Sequence, residues 1–162
     1  MVSPDRGTAL TWGRHGPVNN ACIMVSGSAS SPPPWKVELT AKAQKWYMAL
    51  DDEDSDRMAA AFDELELRGP TLGRPFVDSI NGSRHHHMKE LRSVGGHLRA
   101  LFAFDPRRRA VVLLGGDKSG DWKGWYERNI PVADKLYDGH LRSLGKEGPW
   151  PGTGERSADR GR

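Results

Sequence analysis

The sequence predicts a small α+β domain, in which a mainly antiparallel sheet carries an N-terminal helical hairpin on one face and is followed by a C-terminal helix. Three observations predict this class. Apolar residues recur at helical spacing in two early segments, alternate as in strands through the middle of the chain, and return to helical spacing near the end. The predicted order is therefore strand, helix, helix, strand, strand, strand, helix.

The domain is expected between residues 35 and 144. Residues 1–34 are rich in Gly, Ser, Pro and Asn, and residues 145–162 in Gly, Pro and charged residues. Neither segment carries enough apolar surface to offset the entropy of ordering it, so we predict a disordered extension at each end. Because the folded pattern begins only near residue 35, Met24 is an alternative translation start to Met1.

The first strand and the first helix adjoin one another. Trp35–Leu39 ("WKVEL") alternates and is rich in β-prone residues, which predicts a short strand. Thr40 is placed to cap the helix that follows, and Ala43, Trp46 and Leu50 lie on one face of that helix. The two elements are thus predicted to follow each other directly.

A second helix completes the predicted hairpin. The acidic run Asp51–Asp56 interrupts the first helical pattern, and its last members are expected to cap the next helix. Met58, Phe62 and Leu65 form the apolar stripe of this helix, which Gly69–Pro70 ends. A short turn between two helices favours an antiparallel pair.

The remaining strands lie between residues 88 and 116. Met88–Arg92 ("MKELR") predicts one strand and His97–Phe104 a second, followed by a turn at Asp105–Arg109 with proline in a favoured position. Ala110–Gly116 is a continuous apolar run, typical of a central strand covered on both faces. In the second strand, alternation assigns one set of side chains to each face: Leu98, Ala100, Phe102 and Phe104 on one, and Arg99, Leu101 and Ala103 on the other.

The last predicted element is a helix that starts at Pro131. Residues 117–129 are polar and aromatic and predict a loop or a partial helix, whereas Pro131 suits the first position of a helix. Helical spacing continues through Ala133, Leu136 or Tyr137, His140 or Leu141, and Leu144.

Composition and charge limit the class of protein. The single cysteine, Cys22, rules out an internal disulfide and fits a reducing cytoplasm. No apolar run approaches the roughly 20 residues of a membrane span, so a cytoplasmic protein without a membrane partner is expected. Residues 35–67 contain 4 basic and 9 acidic side chains, whereas residues 68–128 contain 12 basic and 6 acidic. This asymmetry suggests a positive face for phosphate or for an acidic partner, and its alternative is ordinary solvated charge.

Three consecutive histidines precede the "MKELR" strand. Adjacent residues of an extended chain point to opposite sides, so only His85 and His87 can face the same way. A tetrahedral zinc site needs three or four converging ligands, and no CxxC or HExxH partner is present. We therefore predict no metal and interpret the histidines as a polar bend, with one ring near a basic cleft.

Basic residues are expected to cluster on one face of the predicted sheet, with aromatic residues close behind them in the sequence. Arg99 points away from the helical hairpin, and Lys118 follows the last strand. Such cations can grip phosphate oxygens and stabilise charge that develops on them, and the alternative is a solvated or partner-binding face. Trp122, Trp125 and Tyr126 suit stacking on unpaired bases, and a tyrosine can exchange protons if cationic neighbours lower its pKa. Their alternative role is to cover the core.

Three segments carry a resemblance to a known family: "GPTLGRPFVDSINGSRHHHMKELR", "LRALFAFDPRRRAVVLLGGDKSGDWKGWY" and "NIPVADKLYDGHL". Together they resemble the HigB-like, phage-derived Gp49-like branch of the RelE/ParE toxin superfamily, over about residues 35–144. The resemblance implies a RelE-like fold and a toxin of a type II toxin–antitoxin system. It also implies a ribosome-associated endoribonuclease, in which the 2′-hydroxyl of the messenger attacks the adjacent phosphate without a metal or another cofactor.

The resemblance also assigns roles to residues. The positions that match catalytic ones in the family are Arg99, Lys118, Tyr126 and Lys89. The positions expected to contact RNA are Arg92, His85, Trp122, Lys123 and Arg84. One departure is Ser119, which stands where many relatives carry a second basic residue after Lys118.

The partners implied are a cognate antitoxin, messenger RNA and the ribosome, and an oligomeric toxin–antitoxin complex is expected. Two alternatives share the same fold. One is a ParE-like toxin that inhibits DNA gyrase without cutting nucleic acid, and the other is a catalytically weakened relative that only binds a partner.

Overall fold

The computed structural model describes residues 34–146, and within this range the chain has the α+β architecture that the sequence predicts. In chain order the strands and helices are β1 (Lys36–Leu39), α1 (Ala41–Met48), α2 (Asp52–Arg68), β2 (Val77–Ser79), β3 (Met88–Arg92), β4 (Leu98–Phe104), β5 (Arg109–Asp117) and α3 (Trp122–Lys146). The extensions predicted before residue 35 and after residue 144 lie almost entirely outside the described residues.

The strands form one sheet in the order β1-β5-β4-β3-β2. Every neighbouring pair is antiparallel except β1 and β5, which run parallel, so the sheet is mainly antiparallel as predicted. The strand β2 was not among the predicted elements. It has three residues at an edge of the sheet, which is too short for a pattern of alternation to be recognised.

Helices cover both faces of the sheet. The alternation predicted for β4 is confirmed, since Leu98, Ala100 and Phe102 belong to the core formed with α1 and α2, whereas Leu101 and Ala103 belong to the core formed with α3. Strand β5 is buried on both faces, as its continuous apolar run predicts.

A register shift interrupts the pairing of β4 with β5. Leu101 pairs with Leu114 and Phe102 pairs with Val112, which leaves Leu113 as an extra residue. Such a bulge re-aims the side chains that follow it. Leu113 and Leu114 consequently both contribute to the core beneath α3.

Both early helices begin at a capping side chain. Thr40 caps α1 as predicted, since its Oγ1 accepts a hydrogen bond from the backbone N–H of Ala43 at 3.2 Å. The cap of α2 is Asp51, the first member of the acidic run, whereas we expected the last members. Asp52, Glu53 and Asp54 occupy the first turn of the helix, where their charge complements its positive end.

The predicted start of α3 is wrong. The helix begins at Trp122, and Pro131 lies within it rather than at its first position. The carboxylate of Asp121 accepts a hydrogen bond from the backbone N–H of Gly124 at 3.0 Å and so caps this earlier start. The polar composition of residues 117–129 concealed a helical turn whose apolar side packs on the sheet through Trp125 and Ile130.

None of the helices in residues 34–146 has an apolar stretch long enough to cross a lipid bilayer.

Candidate functional site

A pocket of about 580 Å³ lies where the first half of α3 approaches β2 and β3. Its lining combines an apolar wall with a charged floor. The apolar wall is formed by Ile80, Trp122, Tyr126, Ile130 and Pro131. The charged and polar lining includes Asp78, Glu90, Arg92, Lys118 and Lys123.

A buried carboxylate organises the floor of this pocket. Glu90 lies on β3 and is only 3% exposed. Its Oε2 accepts a hydrogen bond from the hydroxyl of Tyr126, and its Oε1 accepts one from Nε of Arg92 at 2.7 Å. Nη2 of Arg92 also donates to Oδ2 of Asp78 at 2.8 Å. Because an unpaired buried charge is costly, these contacts hold the four side chains in one arrangement.

Two further cations surround Tyr126. Nζ of Lys118 lies 5.6 Å from the centroid of the Tyr126 ring and 5.7 Å from that of Trp122, within range of cation–π attraction. Arg99 approaches closely enough to influence the ionisation of Tyr126. Nη1 of Arg99 donates to the backbone carbonyls of Gly96 and Leu98, whereas its buried Nε has no hydrogen-bond partner. The predicted residues Arg99, Lys118 and Tyr126 are thus brought together.

The pKa of Tyr126 shifts in the direction opposite to the one we considered. Burial raises this pKa, and the neighbouring carboxylate of Glu90 raises it further. Arg99 and Arg92 lower it, but by less. The phenol is therefore neutral and donates its proton to Glu90 in this arrangement.

The structure separates Lys89 from the other predicted catalytic residues. On β3, Met88 belongs to the core beneath α3, so alternation directs Lys89 to the opposite face of the sheet. Lys89 also pairs with Phe102, which belongs to the core beneath α1 and α2. The expectation that Lys89 contributes to the same site as Tyr126 is therefore wrong.

The predicted RNA-contacting residues fall into two groups. Arg92, Trp122 and Lys123 line the pocket, and Trp122 is more than half exposed. Arg84 and His85 do not line it.

Arg84 and His85 instead attach their loop to α3. Nη2 of Arg84 donates to Oδ2 of Asp138 at 2.6 Å, and Nε2 of His85 lies 2.8 Å from Oδ1 of the same carboxylate. The hydroxyl of Ser83 donates to the buried Asp134 at 2.6 Å. The histidine segment thus supports the loop that forms one wall of the pocket, rather than contributing a ring to the pocket itself.

Glu90 and Asp78 were missed by the reasoning from sequence. A signal for Glu90 was present, because alternation in "MKELR" places Glu90 and Arg92 on one face of the strand. Asp78 had no such signal, since its strand was not recognised. Among the described residues, no group of three or more His, Cys, Asp or Glu side chains is arranged to hold a metal ion.

Comparisons with known proteins give consistent matches. Residues 45–138 match the family model described as "Phage derived protein Gp49-like (DUF891)". The chain is 50% identical over 107 residues to "Putative toxin HigB3" of Mycobacterium tuberculosis (strain ATCC 25618 / H37Rv), a match that covers 66% of this chain and 94% of that protein. It is 48% identical over 110 residues to "Putative toxin HigB2" of the same organism, covering 66% of this chain and 54% of that protein.

One solved structure also aligns with the chain. The crystal structure of the isolated E. coli RelE toxin aligns with a TM-score of 0.43 and 11% identity, over 58% of this chain and 96% of that chain.

Proposed function

We propose, since this chain belongs to the Gp49-like family and so to the HigB-like branch of the RelE/ParE toxin superfamily, that it is the toxin of a toxin–antitoxin pair and a metal-independent endoribonuclease. Its substrate is messenger RNA on the ribosome, and its other partner is a cognate antitoxin. The protein acts in the cytoplasm. The reaction is attack of the ribose 2′-hydroxyl on the adjacent phosphate, which yields a cyclic phosphate and a 5′-hydroxyl end.

The observation that carries this proposal is the gathering of cations and aromatic rings around one pocket. Lys118 and Arg92 line the pocket, and Arg99 lies close to its tyrosine. Positive groups fixed beside a phosphate stabilise the charge that develops during in-line attack. Trp122 and Tyr126 offer faces on which unpaired bases can stack.

The position of Arg99 suits a group that acts on a transition state. Its Nε is buried and has no hydrogen-bond partner, and such an orphaned donor is normally satisfied by a ligand or by water. A phosphate held beside Tyr126 lies close to the guanidinium of Arg99, whose positive charge attracts its oxygens.

The test is to replace Arg99 with Ala and to induce the variant in growing cells. Loss of the guanidinium is expected to abolish growth arrest at equal protein level, with a transition-state contribution of about 3 kcal/mol, or roughly 100-fold in rate. The matched control is Arg68→Ala, since Arg68 is exposed on α2 and pairs with Glu64. Circular dichroism and a thermal melt establish that both variants fold.

Primer extension on messenger RNA then separates the ribonuclease from its alternative. New 5′ ends after induction of the unmodified chain support cleavage. Intact messages together with blocked DNA supercoiling would instead support a ParE-like inhibitor of gyrase. Undiminished growth arrest by Arg99→Ala at equal expression would contradict the role proposed for this pocket.

A further inference from the structure

The proposed reaction needs a group that accepts the proton of the attacking 2′-hydroxyl. Arginine and lysine cations have no lone pair for this purpose. No histidine in residues 34–146 lines the pocket, and His85 is hydrogen-bonded to Asp138 on α3. The candidates among the lining residues are therefore the carboxylates and the phenol of Tyr126.

The carboxylates of the pocket differ in their surroundings. Burial alone would raise the pKa of Asp78, but the backbone N–H of Ser79 and the guanidinium of Arg74 lower it by more, so this carboxylate is a weak base. Glu127 also lines the pocket, but it is exposed to solvent. Glu90 lies at the floor, almost wholly buried, and it contacts the hydroxyl of Tyr126.

We propose that Glu90 and Tyr126 form a proton relay, in which the phenol takes the proton of the 2′-hydroxyl while it passes its own proton to Oε2 of Glu90. This inference rests on the ribonuclease function proposed above. The 2′-oxygen forms a bond to phosphorus as the bond from phosphorus to the 5′-oxygen breaks. The 5′-oxygen leaves with a proton from the ammonium of Lys118, and exchange with water returns Glu90 and Lys118 to their starting states.

The contacts of Glu90 suit a terminal acceptor. Arg92 occupies Oε1, which fixes the plane of the carboxylate and leaves Oε2 to the phenol. Three other charged groups lie near this pair. Asp78 is linked to the carboxylate by Arg92, whereas Arg99 of β4 and Lys118 after β5 lie near the tyrosine. The raised pKa of Tyr126 makes a free phenolate costly. In a relay the phenol passes its proton to Glu90 as it takes one from the 2′-hydroxyl, so a free phenolate never forms.

The test uses ribosomes programmed with a defined messenger RNA and the purified full chain, under single-turnover conditions. The variants are Glu90→Gln, Tyr126→Phe and the double replacement. Each single replacement is expected to slow cleavage on the order of 100-fold. The double variant is expected to be no slower than the slower single variant, because both replacements interrupt one relay. The dissociation constant for the programmed ribosome is expected to change by less than about threefold, because the relay acts in the transition state and not in the binding of the substrate.

A matched control is Glu53→Gln, the same chemical change at a side chain 74% exposed on α2. It is expected to cleave at the unmodified rate. Cleavage by Tyr126→Phe at the unmodified rate would overturn the relay and leave Tyr126 with base stacking alone. Equal cleavage by Glu90→Gln would overturn it as well.

The two proposals fail in different ways. If the unmodified chain leaves every programmed message intact, the ribonuclease function is wrong and the relay falls with it. If the unmodified chain cleaves but the single variants do so equally well, only the relay is wrong. Should Glu90→Gln fail to fold in a thermal melt, Tyr126→Phe decides alone, since it removes one hydroxyl and keeps the ring.

Discussion

Two consecutive glycines near the end of β5 bring a tryptophan against each face of the sheet. A methyl carbon at Gly115 would lie 2.3 Å from the ring of Trp46 on α1, and one at Gly116 would lie 2.4 Å from Nε1 of Trp125 on α3. Non-bonded atoms do not approach a side-chain carbon so closely, so a side chain at either position would displace an indole ring. The glycines therefore allow the helices on both faces to approach the same strand.

Gly116→Ala is accordingly expected to lower the free energy of unfolding by about 1–3 kcal/mol, the usual cost of overpacking a core. The measurement is urea denaturation followed by tryptophan fluorescence. Gly139→Ala is the matched control, because its added carbon would lie 3.9 Å from Arg142 and alanine favours a helix. That variant is expected to gain about 0.5–1 kcal/mol. Equal stability of Gly116→Ala and the unmodified chain would contradict the close contact.

The turn between β4 and β5 is joined to the C-terminal part of α3 through one buried carboxylate. Oδ1 of Asp105 accepts hydrogen bonds from the backbone N–H groups of Arg107 and Arg109, at 2.8 and 3.0 Å. Its Oδ2 lies 2.8 Å from both Nε of Arg109 and Nε2 of His140. Residue Arg108 in this turn has a φ of 60°, a left-handed conformation that the surrounding hydrogen bonds hold in place.

These contacts predict a dependence of stability on pH. Burial alone would raise the pKa of Asp105, but the hydrogen bonds from His140 and Arg109 lower it by more. A lowered folded-state pKa adds stability that is complete above the unfolded value of about 3.9 and is lost as the pH falls through the folded-state pKa.

The comparison is between the unmodified chain and Asp105→Asn, in urea denaturation at a series of pH values. Near neutral pH the variant is expected to be less stable by about 3 kcal/mol, since the guanidinium of Arg109 loses its buried charged partner. This difference is expected to shrink as the pH falls below about 4, because the carboxyl is protonated first in the unfolded chain and, at lower pH, in the folded chain as well. A difference that stays constant down to strongly acid pH would contradict this role for Asp105.

The whole molecule depends on α3 to close both its core and its pocket. The helix packs over β4 and β5, and its buried Asp134 also holds the loop that follows β2. Asp134 accepts hydrogen bonds from the hydroxyl of Ser83 at 2.6 Å and from the backbone N–H of Arg84 at 3.2 Å. Residues 80–82, just before these contacts, line the pocket, so the position of its wall depends on α3.

Asp134→Ala is expected to release this loop while the sheet stays folded. Removal of two hydrogen bonds to a buried carboxylate is expected to cost about 2–3 kcal/mol of stability. Hydrogen exchange measured by mass spectrometry should show faster exchange over residues 83–85 than in the unmodified chain. The adjacent exposed Lys135 offers a control, and Lys135→Ala should leave that exchange unchanged. Unaltered protection in Asp134→Ala would show that the loop is held by other contacts.

Much of the fold was predictable because it depends on short-range patterns. Alternation in β4 assigned its side chains to the correct faces, and Thr40 was recognised as a helix cap. The start of α3 was not predictable in this way. Pro131 has a strong local preference for a helix start, and the packing of Trp125 against the sheet outweighed that preference.

The candidate site was predictable only in part. Lys118, Tyr126 and Arg99 share a basic and aromatic character that the sequence displays, and the structure brings them together. The role of Glu90 was not visible, because its partner Tyr126 lies 36 residues away in the chain. The cations lower the pKa of Tyr126 as we considered, but burial and Glu90, which the sequence did not reveal, raise it by more.

The amino-acid sequence alone was sufficient to establish the α+β class, the order of all its elements but one, and the family, since periodicity and motifs are properties of neighbouring residues. Only the folded chain established which charges meet. It placed Glu90 against Tyr126 and Lys89 on the opposite face of the sheet, and it brought Arg84 and His85 into contact with Asp138 of α3. The physical reason is that burial and electrostatic interaction depend on distances between elements far apart in the chain, and these distances are set by how α3 packs on the sheet.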